Sequence, residues 1–470
     1  MKKTLFIILL SIVTFSGFSQ THALHVAGNW LGSLDVGVAK LRIGLMIKDS
    51  SGILISKLIS PDQGAMNIKV DKAEFANDTL KIVSKEIHAS FKGTINISAD
   101  TLKGFFTQGK KFPLSMARVE KLPELNRPQE PQRPFPYKEE EVTFINKKAG
   151  ISLSGTLTLP SSGENFTAVV MVSGSGPQNR DEELLGHKPF LVISDYLTRN
   201  GIAVLRYDDR GTGKSKGIFS TATTADFADD AEAAFTFLQK DKRINPEQIG
   251  IMGHSEGGLI APVVASRNND VTFIVMLAGP GLKGEDILLL QSELIARADS
   301  TPEEEIATNK ELNKKLYKIA KKEKDDKKAT EKMRKLIDDY WKTISPDAIK
   351  NSGIDKQVLI QSVYQVVTPW FRYFISYDPG KTLSKITCPV LAMNGSKDLQ
   401  VPSAQNLKAI EKYLLKAGNK DFTIKEFEGL NHLFQHSATG SPSEYVDIEE
   451  TFSPEVLEYM TQWLNKLSSK

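Results

Sequence analysis

The stretch Gln248-Ile249-Gly250-Ile251-Met252-Gly253-His254-Ser255-Glu256-Gly257-Gly258-Leu259-Ile260-Ala261-Pro262 decides the fold. Its first five residues form a short apolar run suited to a buried strand. The residues from Gly257 to Ala265 are small enough for a closely packed helix. Between them stands G-x-S-x-G. Strand, sharp turn and helix is the setting in which a serine hydroxyl is held out at a strand end as a nucleophile, and the flanking glycines leave room for the turn. The five-residue pattern alone is weak: with Gly and Ser each about 7% of residues, a chain of this length carries one by chance about one time in six. A second match, Gly213-Lys214-Ser215-Lys216-Gly217, shows the hazard. It runs into Ile218-Phe219-Ser220-Thr221 with no helix pattern behind it. Context assigns the nucleophile to Ser255 and a structural role to Ser215.

Outward from this point, strands alternate with helices from about residue 138 onward. Strands are predicted at Glu141–Ile145, Ser152–Leu159, Ala168–Ser173, Ile202–Tyr207, Gln248–Gly253, Thr272–Ala278, Val390–Asn394 and Thr423–Phe427. Helices are predicted at about 189–200, 223–240, 256–268, 404–416 and 453–468. The first two strands lie too close together for a crossover helix and should form an antiparallel hairpin, with the later strands parallel. About a hundred residues, 282–386, separate the strand ending near Gly281 from the one starting near Pro389. They are charged and helical in spacing, and predict a cap over the catalytic face. The run Lys321-Lys322-Glu323-Lys324-Asp325-Asp326-Lys327-Lys328 reads as a solvated helix face.

A serine hydroxyl needs a base within reach, and the base needs a partner that fixes its tautomer. Among seven histidines, His432 in Gly429-Leu430-Asn431-His432 follows a strand and can be delivered to the top of a sheet, with His436 the rival. His254 adjoins the nucleophile but should point away from it. Asp398, in Gly395-Ser396-Lys397-Asp398, ends a strand and is the expected acid, ahead of Asp421 and Glu426. Charge developing on a carbonyl oxygen calls for backbone donors. The amides of Glu256 and of Ser175, in the loop Ser173-Gly174-Ser175-Gly176-Pro177, are the expected pair. The aromatic segment Thr368-Pro369-Trp370-Phe371-Arg372-Tyr373-Phe374 is suited to an acyl pocket lined by Trp370, Phe371 and Tyr373, and equally to helix packing within the cap. Asp208-Asp209-Arg210-Gly211-Thr212-Gly213-Lys214-Ser215 fails as a phosphate loop because position 208 is not glycine. Arg210 should instead pair with an aspartate and brace this face.

The 470 residues allow more than one domain. Met1-Lys2-Lys3, an apolar run from Leu5 to Phe18 and Ser19-Gln20 read as an export signal over residues 1–20, too short for a membrane span. Basic residues number 60 and acidic residues 57, and loss of Lys2 and Lys3 would bring them almost to balance, so nothing points to nucleic acid. The single cysteine, Cys388, permits no internal disulfide and reads as a small core residue. Residues 24–120 look all-β: Leu41, Ile43, Leu45 and Ile47 alternate with polar neighbours. Short runs follow near Asn67–Val70, Leu80–Val83 and Thr94–Ser98. The repeat of Asp78-Thr79-Leu80-Lys81 as Asp100-Thr101-Leu102-Lys103 suggests successive hairpins around a buried Trp30. The proline-rich residues 121–137 predict an extended spacer.

The segments at Ser173–Gln178, Asp209–Gly213, Gly253–Gly258, Asp398 and His432 resemble the α/β-hydrolase superfamily over residues 138–470. They most resemble secreted bacterial carboxylesterases that carry an N-terminal β domain and are often labelled prolyl-oligopeptidase-like peptidases. The resemblance implies Ser255, Asp398 and His432 as a triad acting on short acyl esters with no cofactor or metal. The expected partner is a small ester, with no nucleic acid and no membrane insertion after signal removal. A peptidase of the same fold is the alternative, and a non-catalytic binding protein a third reading. Many such proteins have His-Gly where Ser173-Gly174 stands here.

Overall fold

The computed structural model describes residues 26–36, 40–96, 98–344 and 356–468. The chain divides into two compact units, Met1–Glu124 and Leu125–Lys470. The expected signal over 1–20 lies outside the described residues.

In the smaller unit the strands are β1 (Gly28–Asp35), β2 (Lys40–Ser50), β3 (Ile53–Ser60), β4 (Ala65–Lys69), β5 (Lys72–Ala76), β6 (Thr79–Ser84), β7 (Ala89–Ile95), β8 (Thr101–Gln108) and β9 (Lys110–Val119). They form one antiparallel sheet in the order β4-β3-β2-β1-β9-β8-β7-β6-β5. The alternation read in β2 buries Ile43, Leu45 and Ile47 on one face. Trp30 is fully buried, and its indole N–H donates to the Val26 carbonyl at 2.9 Å. The run expected at Thr94–Ser98 is displaced. β7 ends at Ile95, and Asn96 Oδ1 accepts the amides of Asp100 and Thr101 at 3.0 and 2.9 Å, closing a turn instead. Both copies of the Asp-Thr-Leu-Lys repeat lead into the second strand of a hairpin, β5–β6 and β7–β8. The cavity between Leu45, Ile82, Phe91 and Met116 holds ≈ 10 Å³, about the threshold for one water, so this face is packed rather than hollow.

In the larger unit the strands are β10 (Lys138–Asn146), β11 (Ile151–Leu159), β12 (Phe166–Val172), β13 (Ala203–Tyr207), β14 (Ile244–His254), β15 (Phe273–Leu277), β16 (Val390–Gly395) and β17 (Phe422–Phe427). Their order is β10-β11-β13-β12-β14-β15-β16-β17. β11 is antiparallel to both neighbours, and every later pairing is parallel. All eight strands sit where the sequence put them, within a few residues at each end. Helices α1 (Pro189–Arg199), α2 (Thr224–Leu238) and α3 (Glu256–Ala265) follow β12, β13 and β14. Val170 and Val172 face α2 and α3, while Val169 and Met171 face α1. A strand covered on both sides must be apolar throughout, which is why β12 reads as a continuous hydrophobic run.

The insertion between β15 and β16 is helical: α4 (Gly284–Ala298), α5 (Glu303–Lys322), α6 (Asp326–Trp341), α7 (Lys356–Val366), α8 (Pro369–Ser376) and α9 (Gly380–Leu383). It has its own apolar centre around Leu312, Leu316, Met333, Ile337 and Val363. The charge run is split by a helix boundary, where Asp325 caps α6 by accepting the Lys328 amide at 3.0 Å. Then come α10 (Ser403–Lys416) and α11 (Pro454–Ser468). Among the described residues no helix is long and apolar enough to cross a membrane.

The expected spacer is instead a strap on the larger unit. Arg127 donates to the carbonyls of Leu185, Val446 and Ile448 at 2.9–3.0 Å. Gln129 bonds the backbone of Thr451 and Phe452, and Tyr137 donates to Asp195 at 2.9 Å. Proline content predicts extension correctly, but an extended chain with long polar side chains also satisfies loop carbonyls that would otherwise be unpaired.

Candidate active site

Ser255 stands between β14 and α3 with φ 52° and ψ −117°. A non-glycine residue held there stores of order 1–3 kcal/mol of backbone strain. The strain is held by close packing on both sides. A Cβ on Gly253 would lie 1.9 Å from the Gly257 carbonyl oxygen, and one on Gly257 would lie 2.0 Å from that of Val172. The Ser255 amide is fixed to the Leu277 carbonyl at 2.8 Å. The residue is only half-buried.

Two strands away β16 ends at Gly395, and the chain turns back through Asp398. Asp398 is buried, and its Oδ2 lies 2.8 Å from His432 Nδ1. Its Oδ1 accepts the amides of Gln400 and Val401, each at 2.8 Å. One carboxylate oxygen is thus held by the backbone and the other is aimed at the imidazole. Facing an acceptor, Nδ1 carries the proton, which leaves Nε2 as the basic nitrogen. The loop bearing His432 is fixed by Asn431, whose Oδ1 accepts the amides of Leu433 and Gln435 at 2.9 and 3.0 Å.

Among the described residues no hydrogen bond joins Ser255 Oγ to His432, a contact that in ligand-free sites often tightens only with substrate. What ties the two loops is His254. Its Nε2 lies 2.9 Å from the His432 carbonyl oxygen, and the two rings are 4.8 Å apart. On its other side Nδ1 meets Glu182 Oε1 at 3.0 Å. That oxygen also accepts the Gly174 amide at 2.6 Å. Burial works against a charge on His254, but the Glu182 carboxylate outweighs it and raises the pKa. Gly174 being engaged, the next amide in the loop, that of Ser175, and the first helical amide, that of Glu256, have no acceptor among the described residues. Helix N-termini leave such donors free. Two further carboxyls lie below. Asp209, bonded to Ser173 Oγ and the Gln178 amide, is pushed by burial to about 8. Glu256, with donors from Thr224 and Trp370, is pushed by burial to about 7. Among the described residues no group of three or more His, Cys, Asp or Glu is placed to hold a metal ion.

A strained serine turn after the fifth strand of an eight-stranded sheet, an aspartate after the seventh and a histidine after the eighth, with only the second strand reversed, define one architecture. The larger unit has the α/β-hydrolase fold. Residues 190–344 match the Hydrolase_4 family model, described as "Serine aminopeptidase, S33". The chain is 25% identical over 478 residues to Esterase EstD of Thermotoga maritima, covering 99% of this chain and 100% of that one. It is 28% identical over 149 residues to the polyketide transferase claH of Penicillium crustosum, 29% of this chain and 43% of that one. Among solved structures it is similar to Est1E from Butyrivibrio proteoclasticus, with 14% identity, a TM-score of 0.40, and coverage of 70% and 99%.

The other residues singled out from the sequence of this hydrolase divide. Ser215 is buried, donating to the Asp208 carbonyl at 2.6 Å and accepting the Ser154 amide at 2.9 Å. His436 is largely exposed and pairs with Glu450. Arg210 makes the expected aspartate pair, with Asp230 at 2.6 and 2.9 Å. The aromatic trio makes different contacts. Trp370 turns toward Glu256, whereas Phe371 packs into the centre of the cap, 5.4 Å from Tyr317. Tyr373 stacks on Tyr377 at 5.9 Å. Consecutive residues of a helix point about 100° apart, so Phe371 turns away from the face of Trp370, whereas Tyr373, three residues on, lies on the Trp370 side. Sequence reading missed Glu182 and gave His254 no role. The acidic run Asp181-Glu182-Glu183 just after the Ser173-Gly174-Ser175-Gly176-Pro177 loop was the available signal.

Proposed function

We propose that this hydrolase is an exported serine carboxylesterase that cleaves short-chain carboxylic esters through an acyl-enzyme, without metal or cofactor. Ser255 Oγ attacks the ester carbonyl as His432 Nε2 takes its proton. The oxyanion forms against the amides of Ser175 and Glu256. Collapse expels the alcohol, which receives its proton from His432. Water, deprotonated by the same imidazole, then releases the acid and restores Ser255. The reading rests on one observation: a buried Asp398–His432 pair at 2.8 Å on the rim where the strained Ser255 turn stands.

Ester chemistry is favoured over peptide chemistry by the carboxyls of the site. Asp209 and Glu256 have both carboxyl oxygens engaged by protein donors, and Glu182 is buried with one oxygen engaged, so none of these three is offered to a substrate amine. Full-length similarity to an esterase points the same way. The peptidase reading draws on the description of the matched family model. Export draws on the leader pattern of residues 1–20 alone.

The test is labelling with a fluorophosphonate, mapping the adduct, and comparing p-nitrophenyl acetate with an aminoacyl-anilide across an acyl-length series. The expected result is an adduct on Ser255 and hydrolysis of short esters, both lost in Ser255→Ala. Faster turnover of the anilide would transfer the assignment to a peptidase.

A further inference from the structure

A second imidazole–carboxylate pair lies beneath the candidate triad, and its donors and acceptors can be counted. The His432 carbonyl can only accept, so His254 Nε2, 2.9 Å away, carries a hydrogen. Glu182 Oε1 accepts the Gly174 amide at 2.6 Å and faces His254 Nδ1 at 3.0 Å, while Oε2 has no partner among the described residues. One proton must therefore lie between Nδ1 and Oε1. A single carboxylate oxygen holds the oxyanion loop and, through one imidazole, the backbone of the candidate base. Glu182 is aimed inward by a turn of its own. Its φ is +50°, its amide donates to the Asn179 carbonyl at 2.9 Å, and Asn179 Oδ1 accepts the Asp181 amide at 3.0 Å. Strain of this kind persists only where surrounding contacts over-determine it.

We infer that Glu182 and His254 are positioning residues that bind three loops into one unit: the oxyanion loop through Gly174, the serine turn through His254 itself, and the base loop through the His432 carbonyl. This rests on the esterase reading above. Neither side chain touches substrate. They set the relative positions of the oxyanion amides, Ser255 Oγ and His432 Nε2, where a displacement of about 1 Å costs about 10²-fold in rate.

Glu182→Gln tests the arrangement, because glutamine can offer that spot an oxygen or an NH2 group but not a shared proton. With oxygen there, His254 must become a buried cation without a counter-charge or give up its bond to His432. With nitrogen there, two donors meet at Gly174. The expected result is a fall of about 10²-fold in kcat for p-nitrophenyl acetate with KM nearly unchanged. His254→Asn should behave similarly, and the double variant should be no worse than the poorer single one. A Glu182→Gln enzyme that melts lower yet keeps kcat within about threefold would overturn the inference and leave the esterase reading intact. A wild-type enzyme without Ser255-dependent turnover would overturn both. Should the variants not fold, nitrogen NMR of the wild-type imidazoles decides. A protonated Nε2 on His254 at neutral pH is required, and a bare one defeats the proposal.

Discussion

The indole N–H of Trp370 in the cap donates to both carboxylate oxygens of Glu256, the residue after the strained serine, at 2.8 and 2.9 Å. Thr224 Oγ1 donates at 2.7 Å. Burial raises the Glu256 pKa from 4.5 to about 7, against the lowering effect of these two donors. The folded chain therefore binds a proton on Glu256 that the unfolded chain has released between these values. The corresponding stability is fully present below about pH 4.5 and is lost as pH rises through about 7. Its full size is on the order of 3 kcal/mol. Glu256→Gln removes this dependence while keeping an acceptor for Trp370. Urea unfolding at about pH 5 and about pH 8 should show the variant gaining on wild type by about 1–3 kcal/mol at the higher pH. An unchanged difference would mean that Glu256 does not titrate in this window.

Asp398 is held so that asparagine cannot replace it. The amides of Gln400 and Val401 demand an oxygen at the Oδ1 position. The NH2 group of Asp398→Asn must then face His432 Nδ1, forcing the proton onto Nε2, the nitrogen that has to act as base. The expected outcome is a native circular dichroism spectrum with kcat for p-nitrophenyl acetate lowered by about 10⁴-fold. A loss under about tenfold would show that another group orients the imidazole.

Gly257 sits where α3 meets the end of β12, and a Cβ there would lie 2.0 Å from the Val172 carbonyl oxygen. The obstacle is backbone in a central strand, not a flexible side chain, so it cannot move aside cheaply. Gly257→Ala should cost at least about 3 kcal/mol, at the upper end for overpacking. Soluble yield and the thermal midpoint measure this. A midpoint within a few degrees of wild type would mean that the turn relaxes.

The positions of the strands, the serine turn and the Asp398–His432 pair were legible because each is written in local pattern. A buried parallel strand is apolar along its whole length, and the turn into α3 demands small residues next to Ser255. Side-chain direction was less legible. Trp370 and Phe371 are neighbours in sequence but face different cores, and no spacing argument anticipated that Trp370 would reach Glu256. Glu182 was invisible for a related reason. Its importance lies in contacts with Gly174, eight positions away, and with His254, 72 positions away, neither of which is set by local periodicity. The strap at Arg127 was misread because composition reports extension but not the carbonyls an extended chain will find.

The two serine motifs should separate cleanly under the same substitution. Ser215 Oγ is buried, bridging the Asp208 carbonyl and the Ser154 amide at 2.6 and 2.9 Å. Alanine there strands one backbone acceptor and one donor, each costing about 1–3 kcal/mol when left unpaired away from water. Relaxation recovers part of that, so Ser215→Ala should lose about 2 kcal/mol of stability in urea unfolding. It touches neither the serine turn nor His432, so kcat per folded molecule should stay within about twofold of wild type. Ser255→Ala should do the reverse. It removes turnover, and its hydroxyl bonds no protein group among the described residues, so its stability should change by no more than about 0.5 kcal/mol. Finding turnover abolished by Ser215→Ala in a folded protein would mean that Asp208 and its loop reach the chemistry, and that the structural reading of the second motif is wrong.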